Sequence, residues 1–175
     1  MPQNFTDRTP ANQNTLQETA FQIAIERMPT VEFFSDSVDM PDVSLGVVEV
    51  MNPNSTDAVP GDQLTFGDLS VTFKLDEDLL AFVEIYNWMK GLGFPESQDE
   101  FEALMARDGI ARGEDLRSDI SVIINTNGAL ANKKFTFHDC FPTNLAGFQL
   151  TSKSTEAAGL AITVAFKFSG AFEIT

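Results

Sequence analysis

The stretch DEDLLAFVEIYNWMKGLGFPES, from Asp76 to Ser97, decides the fold because the period of the apolar residues changes where it begins. Leu69 to Leu75, just before it, alternates apolar and polar residues as a half-buried strand does. Asp76 or Asp78 can accept hydrogen bonds from the free amides of a helix start, and Lys90-Gly91 supplies a matching charge and a stop. The sequence therefore predicts a strand followed by a helix from about Asp78 to Lys90.

The apolar residues of this helix occupy more than half of its circumference and leave Glu84, Asn87 and Lys90 on the polar side. Such a wide stripe fits a helix that is embedded deeply in the core. It also fits a helix of which one edge, near Trp88, packs on another subunit, because aromatic anchors are favoured at interfaces.

The chain before this stretch begins with a polar segment and continues with strand patterns. Met1 to Glu18 is rich in Asn, Gln and Thr, which predicts a flexible N-terminal arm. Apolar and polar residues alternate from Thr19 to Arg27, the pattern of a strand. A second strand, antiparallel to the first, is predicted over Val31 to Asp39. We expect a single domain over residues 19–175.

Residues 40–69 have a different character from the strands on either side. A short apolar run, Val47 to Met51, is followed by a cluster of Pro, Asn, Ser, Asp and Gly residues. The pattern predicts a long protruding hairpin or loop. Because long structured loops in compact domains are usually functional, we expect this one to contact a neighbouring subunit.

The chain after the helix is predicted to be a helix-loop insertion followed by strands. The insertion covers residues 96–118, with a short helix over Gln98 to Arg107 and a charged loop after it. Sixteen phenylalanines favour a sheet-on-sheet core. The patterns predict strands at Asp119 to Asn125, Lys133 to Asp139 and Gly159 to Ile174, with FPTNL (Phe141 to Leu145) breaking the second run and Gly147 to Thr151 able to resume it.

Composition excludes several classes of protein. With 26 acidic and 11 basic residues, the net charge of -15 opposes binding to a phosphate backbone or to anionic lipid. No run approaches the roughly 20 apolar residues of a membrane span, and the start does not resemble a secretory signal. The acidity fits simple solubility, or a surface that lets nucleic acid pass without sticking.

The residues that could carry chemistry are few. His138 and Cys140, the single histidine and cysteine, share a strand face but stand too far apart for a good hydrogen bond. One His and one Cys also serve zinc poorly, and the Cys forms no intrachain disulfide. Asp76 and Asp78 lack the Gly and Glu that complete a calcium loop. We therefore expect no catalytic residues, no metal and no cofactor.

The order of these elements resembles the tail-tube proteins of contractile-tailed bacteriophages and their relatives at the baseplate and neck. The resemblance covers about Phe21 to Phe172. It rests on Phe21-Gln22-Ile23, MPDVSLG (Met40 to Gly46), Val59-Pro60-Gly61 leading into LTFGDLSVTFKLDEDL, the helix ending YNWMKGLGFPES, and FPTNL.

The resemblance implies a β-rich α+β fold: an antiparallel β-sandwich or barrel with one main helix and a long protruding hairpin. It implies a homo-oligomer of hexameric rings that stack through the hairpin and the arm, with DNA passing through the lumen. Sheath, baseplate or neck proteins would be the partners, and a phage tail assembled in the host cytoplasm the location. The expected interface residues are Val47, Val59, Pro60, Trp88 and Phe94.

Several alternatives remain open. The N-terminal arm and the insertion exceed what a minimal tube subunit requires, and the tube initiator at the baseplate and the completion protein at the neck share the fold. A type VI secretion tube protein should lack the GLGFPES-type segment. A small acidic domain that mimics nucleic acid would be monomeric and would bind a basic protein.

Overall fold

The strands of the body form one antiparallel sheet in this computed structural model, which describes residues 13–93, 97–108, 116–128, 130–151 and 159–175. The elements in chain order are β1 Phe21–Ile25, α1 Pro29–Phe33, β2 Ser35–Asp39, β3 Val43–Asn52, β4 Ser55–Phe66, β5 Leu69–Lys74, α2 Leu80–Gly93, α3 Asp99–Asp108, β6 Ser118–Asn125, β7 Ala131–Leu145, β8 Ala161–Lys167 and β9 Glu173–Ile174.

The sheet has the strand order β1-β6-β7-β8-β5-β2, and β9 also pairs with β7. Strand β7 joins the two halves, because its first part pairs with β6 and its last part with β8. Between these parts Asp139 has a φ of 53°. The end strands β1 and β2 line the same grooves without pairing with each other, so the antiparallel sheet predicted from the sequence is confirmed but is not a closed barrel.

Helix α2 packs into the core formed by this sheet. Its buried residues are Ala81, Ile85, Trp88 and Gly91, all on one side. They join alternate residues of the strands, such as Val71 and Phe73 of β5, which are fully buried. Because side chains recur on one face every 3.6 residues of a helix and every second residue of a strand, the buried residues of α2 and of the strands point into one core.

The predicted helix exists, with different ends. It begins at Leu80, where the backbone amide donates to the Oδ2 atom of Asp76 (3.1 Å). It continues beyond Gly91 to Gly93, because Gly91 is buried inside the helix instead of ending it. The strand predictions at β1, β5 and β6 and the short helix α3 are confirmed.

Four of the predictions about strands are wrong. Val31 to Asp39 is not one strand: Pro29 occupies the first turn of helix α1, a position that suits its fixed φ. Only Ser35–Asp39 is extended, and it pairs with β5 and not with β1.

FPTNL does not break β7, because the strand continues through Pro142 at a bulge, where a missing amide is tolerated. Gly147 to Thr151 forms no strand. The region Gly159 to Ile174 is two strands, separated by a turn in which Gly170 has a φ of 70°.

The cap of α2 leads to a first prediction. We expect Asp76→Ala to lower the free energy of unfolding by about 1 kcal/mol, because the amide of Leu80 loses its acceptor. Asp78→Ala is the matched control, since it removes an exposed acid two residues along and keeps this hydrogen bond. Urea denaturation measures both, and equal losses for the two variants would contradict a capping role.

Candidate assembly surfaces

The hairpin of β3 and β4 stands apart from the body of the protein. Its strands, of 10 and 12 residues, form a separate two-stranded sheet, and among the described strands they pair only with each other. An isolated two-stranded hairpin is at best marginally stable in water. The prediction of a long protruding hairpin is confirmed. A hairpin of this kind would be stabilised by a surface that packs against it.

Both faces of the hairpin tip carry exposed apolar residues. Val47 lies opposite Pro60, and Val48 lies opposite Val59 on the other face. Val47 is 65% exposed and Val59 46% exposed. The structure thus brings together Val47, Val59 and Pro60, three of the residues expected at an interface.

Two glycines lie at a register shift that divides the hairpin into a root and a tip, the tip being residues 47–60. The ladder shifts register between Leu45 and Val47, and Gly46 and Gly61 come together at this shift. A Cβ atom on Gly61 would lie 2.8 Å from the carbonyl oxygen of Gly46, which is closer than real Cβ contacts. The two main chains therefore come close together where the register shifts.

An aromatic cluster lies at the root of the hairpin. Phe66, the last residue of β4, contacts the rings of Phe168 and Phe172, with centroid distances of 6.0 and 5.8 Å. These two rings also contact Phe137 of β7, at 5.0 and 5.3 Å. The cluster connects the hairpin to β7 and to the segment after β8.

Trp88 lies in the core, with 0% of its side chain exposed. Its Nε1–H donates to the carbonyl oxygen of Leu116 (2.9 Å), which also accepts from the guanidinium of Arg27. That guanidinium lies 5.1 Å from the Trp88 ring centroid. Trp88 therefore has the embedded role, and its indole presents no surface to a neighbour. Phe94 lies outside the described residues.

The exposed edge of α2 consists of other residues, which our sequence reasoning missed. Leu80, Val83 and Tyr86 are about half exposed. Beside them a groove of about 650 Å³ separates α2 from residues 144–148. The width of the apolar arc was the available signal, but it does not tell which edge faces out.

The end strands of the sheet also offer unpaired edges. Strand β1 pairs only with β6 and β2 only with β5 among the strands that the structure describes. A groove of about 540 Å³ separates them, and Leu16, Phe21 and Val38 are among its lining residues. Free edges of this kind can accept strands from other chains.

Of the two residues considered for catalysis, His138 makes an ionic contact and Cys140 carries a buried thiol. The Nδ1 atom of His138 lies 2.9 Å from the Oδ2 atom of Asp119, and this hydrogen bond is the main reason that the pKa of His138 is above its ordinary value of 6.5. Burial raises the pKa of the Cys140 thiol to about 12, and the thiol donates to the carbonyl oxygen of Phe137. This thiol stays protonated at neutral pH, when the reactive form would be the thiolate.

Within the described part of the chain, no three His, Cys, Asp or Glu side chains come together as a metal site. None of the described helices has the length and apolar character of a membrane span.

Comparison with known proteins identifies the fold. No family model and no curated protein matches the sequence. Among solved structures, the anti-feeding prophage cap, described as a tube-terminating cap, matches with a TM-score of 0.63 and 13% identity over 99% of both chains. The chain has a tail-tube fold.

Two further structures with the tail-tube fold come from an extracellular contractile injection system, PVC. Its sheath/tube terminator in the extended state has a TM-score of 0.61 and 15% identity, covering 94% of this chain and 99% of that one. Its sheath-tube complex has a TM-score of 0.58 and 13% identity, covering 93% of each chain. The tail-tube fold thus extends over nearly the whole chain.

Proposed function

We propose that this chain is a non-enzymatic structural subunit of the tube of a contractile tail, assembling into hexameric rings that stack. The observation that carries the proposal is the hairpin. Valines on both faces of its tip are exposed to water, and the chain to which it belongs has a tail-tube fold. Exposed apolar surface on a protruding element is typical of a protein interface.

The free edges of β1 and β2 support closed rings. They are different strands at opposite ends of one sheet, so a contact between the β1 edge of one copy and the β2 edge of the next is heterologous. Heterologous contacts form a ring when the rotation closes. The hairpin then remains available for a copy in the next ring.

The charge of the chain supports a tube through which DNA passes. The net charge is -15, and the hairpin strands contain three acidic residues and no basic one. A lumen with few cations makes few phosphate contacts, so DNA slides without being held. In this proposal the protein belongs to a phage tail assembled in the host cytoplasm, with sheath, baseplate or neck proteins as partners.

A second candidate is a protein that ends the tube. The similarity to the anti-feeding prophage cap and the PVC terminator, which covers 99% of each of those chains, favours it. The two roles differ in growth, since a tube subunit adds rings without limit and a terminator stops at one or two rings. A protein that initiates the tube at the baseplate would have the same fold.

Negative-stain microscopy with sedimentation velocity tests the proposal on the purified protein, alone and mixed with isolated tails. We expect rings with a central hole. Long stacks would indicate the tube subunit, and single rings that bind tail ends would indicate a terminator. A monomer that neither assembles nor binds tails would contradict both roles, and tight binding to a basic protein would then favour nucleic-acid mimicry.

A further inference from the structure

The hairpin has few attachments to the body of the protein. The described strands β3 and β4 pack extensively only on each other. At the root, Phe66 packs against Phe168 and Phe172, and the amide of Gly67 donates to the carbonyl oxygen of Asp42 (2.9 Å). The second contact closes the hairpin on itself, whereas the aromatic contact joins the hairpin root to the segment after β8.

The rings that hold Phe66 belong to a segment that continues beyond β8 alongside β7. We name Phe168 to Thr175, which follows β8, the strap. The strap turns at Gly170, and then its strand β9 pairs with β7. The amide and carbonyl of Thr175 exchange two hydrogen bonds of 2.9 Å with Lys134. The strap therefore contacts the sheet on one side and the hairpin root on the other.

His138 contacts the strap at a second point. Its carbonyl oxygen accepts from the amide of Ser169 (3.0 Å). On the imidazole, Nδ1 lies 2.9 Å from the Oδ2 atom of Asp119, and Nε2 lies 3.9 Å from the Oε2 atom of Glu173 in the strap. When the imidazole is protonated, both nitrogens carry a proton, and one ring then bridges two carboxylates on β6 and β9.

We propose that the strap is a conformational latch: while it is paired with β7, it fixes the direction of the hairpin. Protonated His138 holds the strap in this position by bridging Asp119 and Glu173, and we call this pair of contacts the catch. Phe172 transmits the position of the strap to the hairpin, because it contacts both Phe66 and Phe137. A released strap leaves the hairpin free to swing about its root. The latch is a property of one copy and does not depend on the proposed tube function.

The pH dependence follows from the acids around His138. Asp119 of β6, Glu173 of β9 and Asp139 of β7 itself all face the imidazole, and the hydrogen bond from Asp119 is the largest cause of its raised pKa. A group whose pKa rises on folding stabilises the folded arrangement fully below its unfolded pKa and loses that effect as the pH rises through the folded pKa. The catch is therefore closed below about pH 6.5 and opens above that value.

Distance measurement between two spin labels tests the latch in the purified protein, diluted with unlabelled protein so that each assembly carries one labelled copy. One label is placed at Thr56→Cys in the exposed hairpin tip and the other at Glu26→Cys in the exposed turn after β1. Cys140 is buried and leaves the labelling specific. We expect one narrow distance distribution in the otherwise unchanged protein.

Phe172→Ala should broaden this distribution, because it removes one of the two strap rings, Phe168 and Phe172, that contact Phe66 at the hairpin root. Phe148→Ala is the matched control: it removes another half-buried ring, which contacts Phe82 of α2 (5.5 Å). An unchanged distribution in Phe172→Ala, or equal broadening in both variants, would overturn the latch. Phe172→Leu, which keeps apolar bulk, provides the same test if the alanine variant does not fold.

The catch has a separate readout. The distribution should be narrower at about pH 5.5 than at about pH 9, on either side of the ordinary histidine pKa. Glu173→Gln should remove this difference, while Glu32→Gln, a change at an exposed acid of α1, should retain it. The same width at both pH values in the unchanged protein would show that His138 is not the catch.

Discussion

Val59→Asp should abolish ring and tube formation while the protein remains folded. The side chain is 46% exposed on the hairpin tip opposite Val48, and within the described parts of the chain β4 pairs with no strand other than β3. In an assembled interface the new carboxylate would be buried without a partner, which costs several kcal/mol and weakens association at least about 100-fold. In the isolated chain the same change costs about 1 kcal/mol or less.

Sedimentation velocity measures the assembly, and circular dichroism with urea measures the fold. Val59→Ile keeps an apolar β-branched side chain and should still assemble. Leu150→Asp introduces the same charge outside the hairpin, at a leucine that is 75% exposed. It tests whether an added acid elsewhere on the surface is enough to prevent assembly. Normal assembly by Val59→Asp would remove the hairpin tip from the interface.

Trp88→Ala should have the largest effect on stability, with a loss of about 3–5 kcal/mol in the free energy of unfolding. The indole is fully buried, contacts Phe166 of β8 with a centroid distance of 6.2 Å, and donates to the carbonyl oxygen of Leu116. Its removal leaves a cavity between helix and sheet and deprives that carbonyl of a donor. Since a domain is stable by about 5–15 kcal/mol, the variant should be close to unfolding at room temperature.

Tyr86→Ala is the matched control for Trp88→Ala, because Tyr86 is an aromatic residue of the same helix that is half exposed. We expect it to cost about 1 kcal/mol. Trp88→Phe should fall between the two, since it keeps a ring and loses the N–H donor. Urea midpoints at constant slope measure all three, and similar losses for Trp88→Ala and Tyr86→Ala would contradict the buried position of the indole.

The sequence predicts those elements whose pattern is local. Alternation in Leu69 to Leu75 and the acids after it locate β5 and the start of α2, because burial on one face imposes those periods. The resemblance based on short motifs also predicts the fold that the solved structures share.

Pairing between distant strands is not encoded locally. Ser35–Asp39 follows β1 along the chain, but it lies at the other end of the sheet because helix α1 carries the chain across. Likewise, the apolar arc of α2 does not reveal that Trp88 faces the core and Tyr86 faces water. Those choices depend on what packs against each face, and sequence spacing alone does not contain that information.

The contact between Gly46 and Gly61 separates two properties of the hairpin that usually change together. The close approach depends on main-chain atoms and on the absence of a side chain at position 61. The outer residues of the tip can therefore vary without disturbing it. Conversely, a single methyl group at Gly61 would force the two strands apart at this point without altering any exposed residue of the tip.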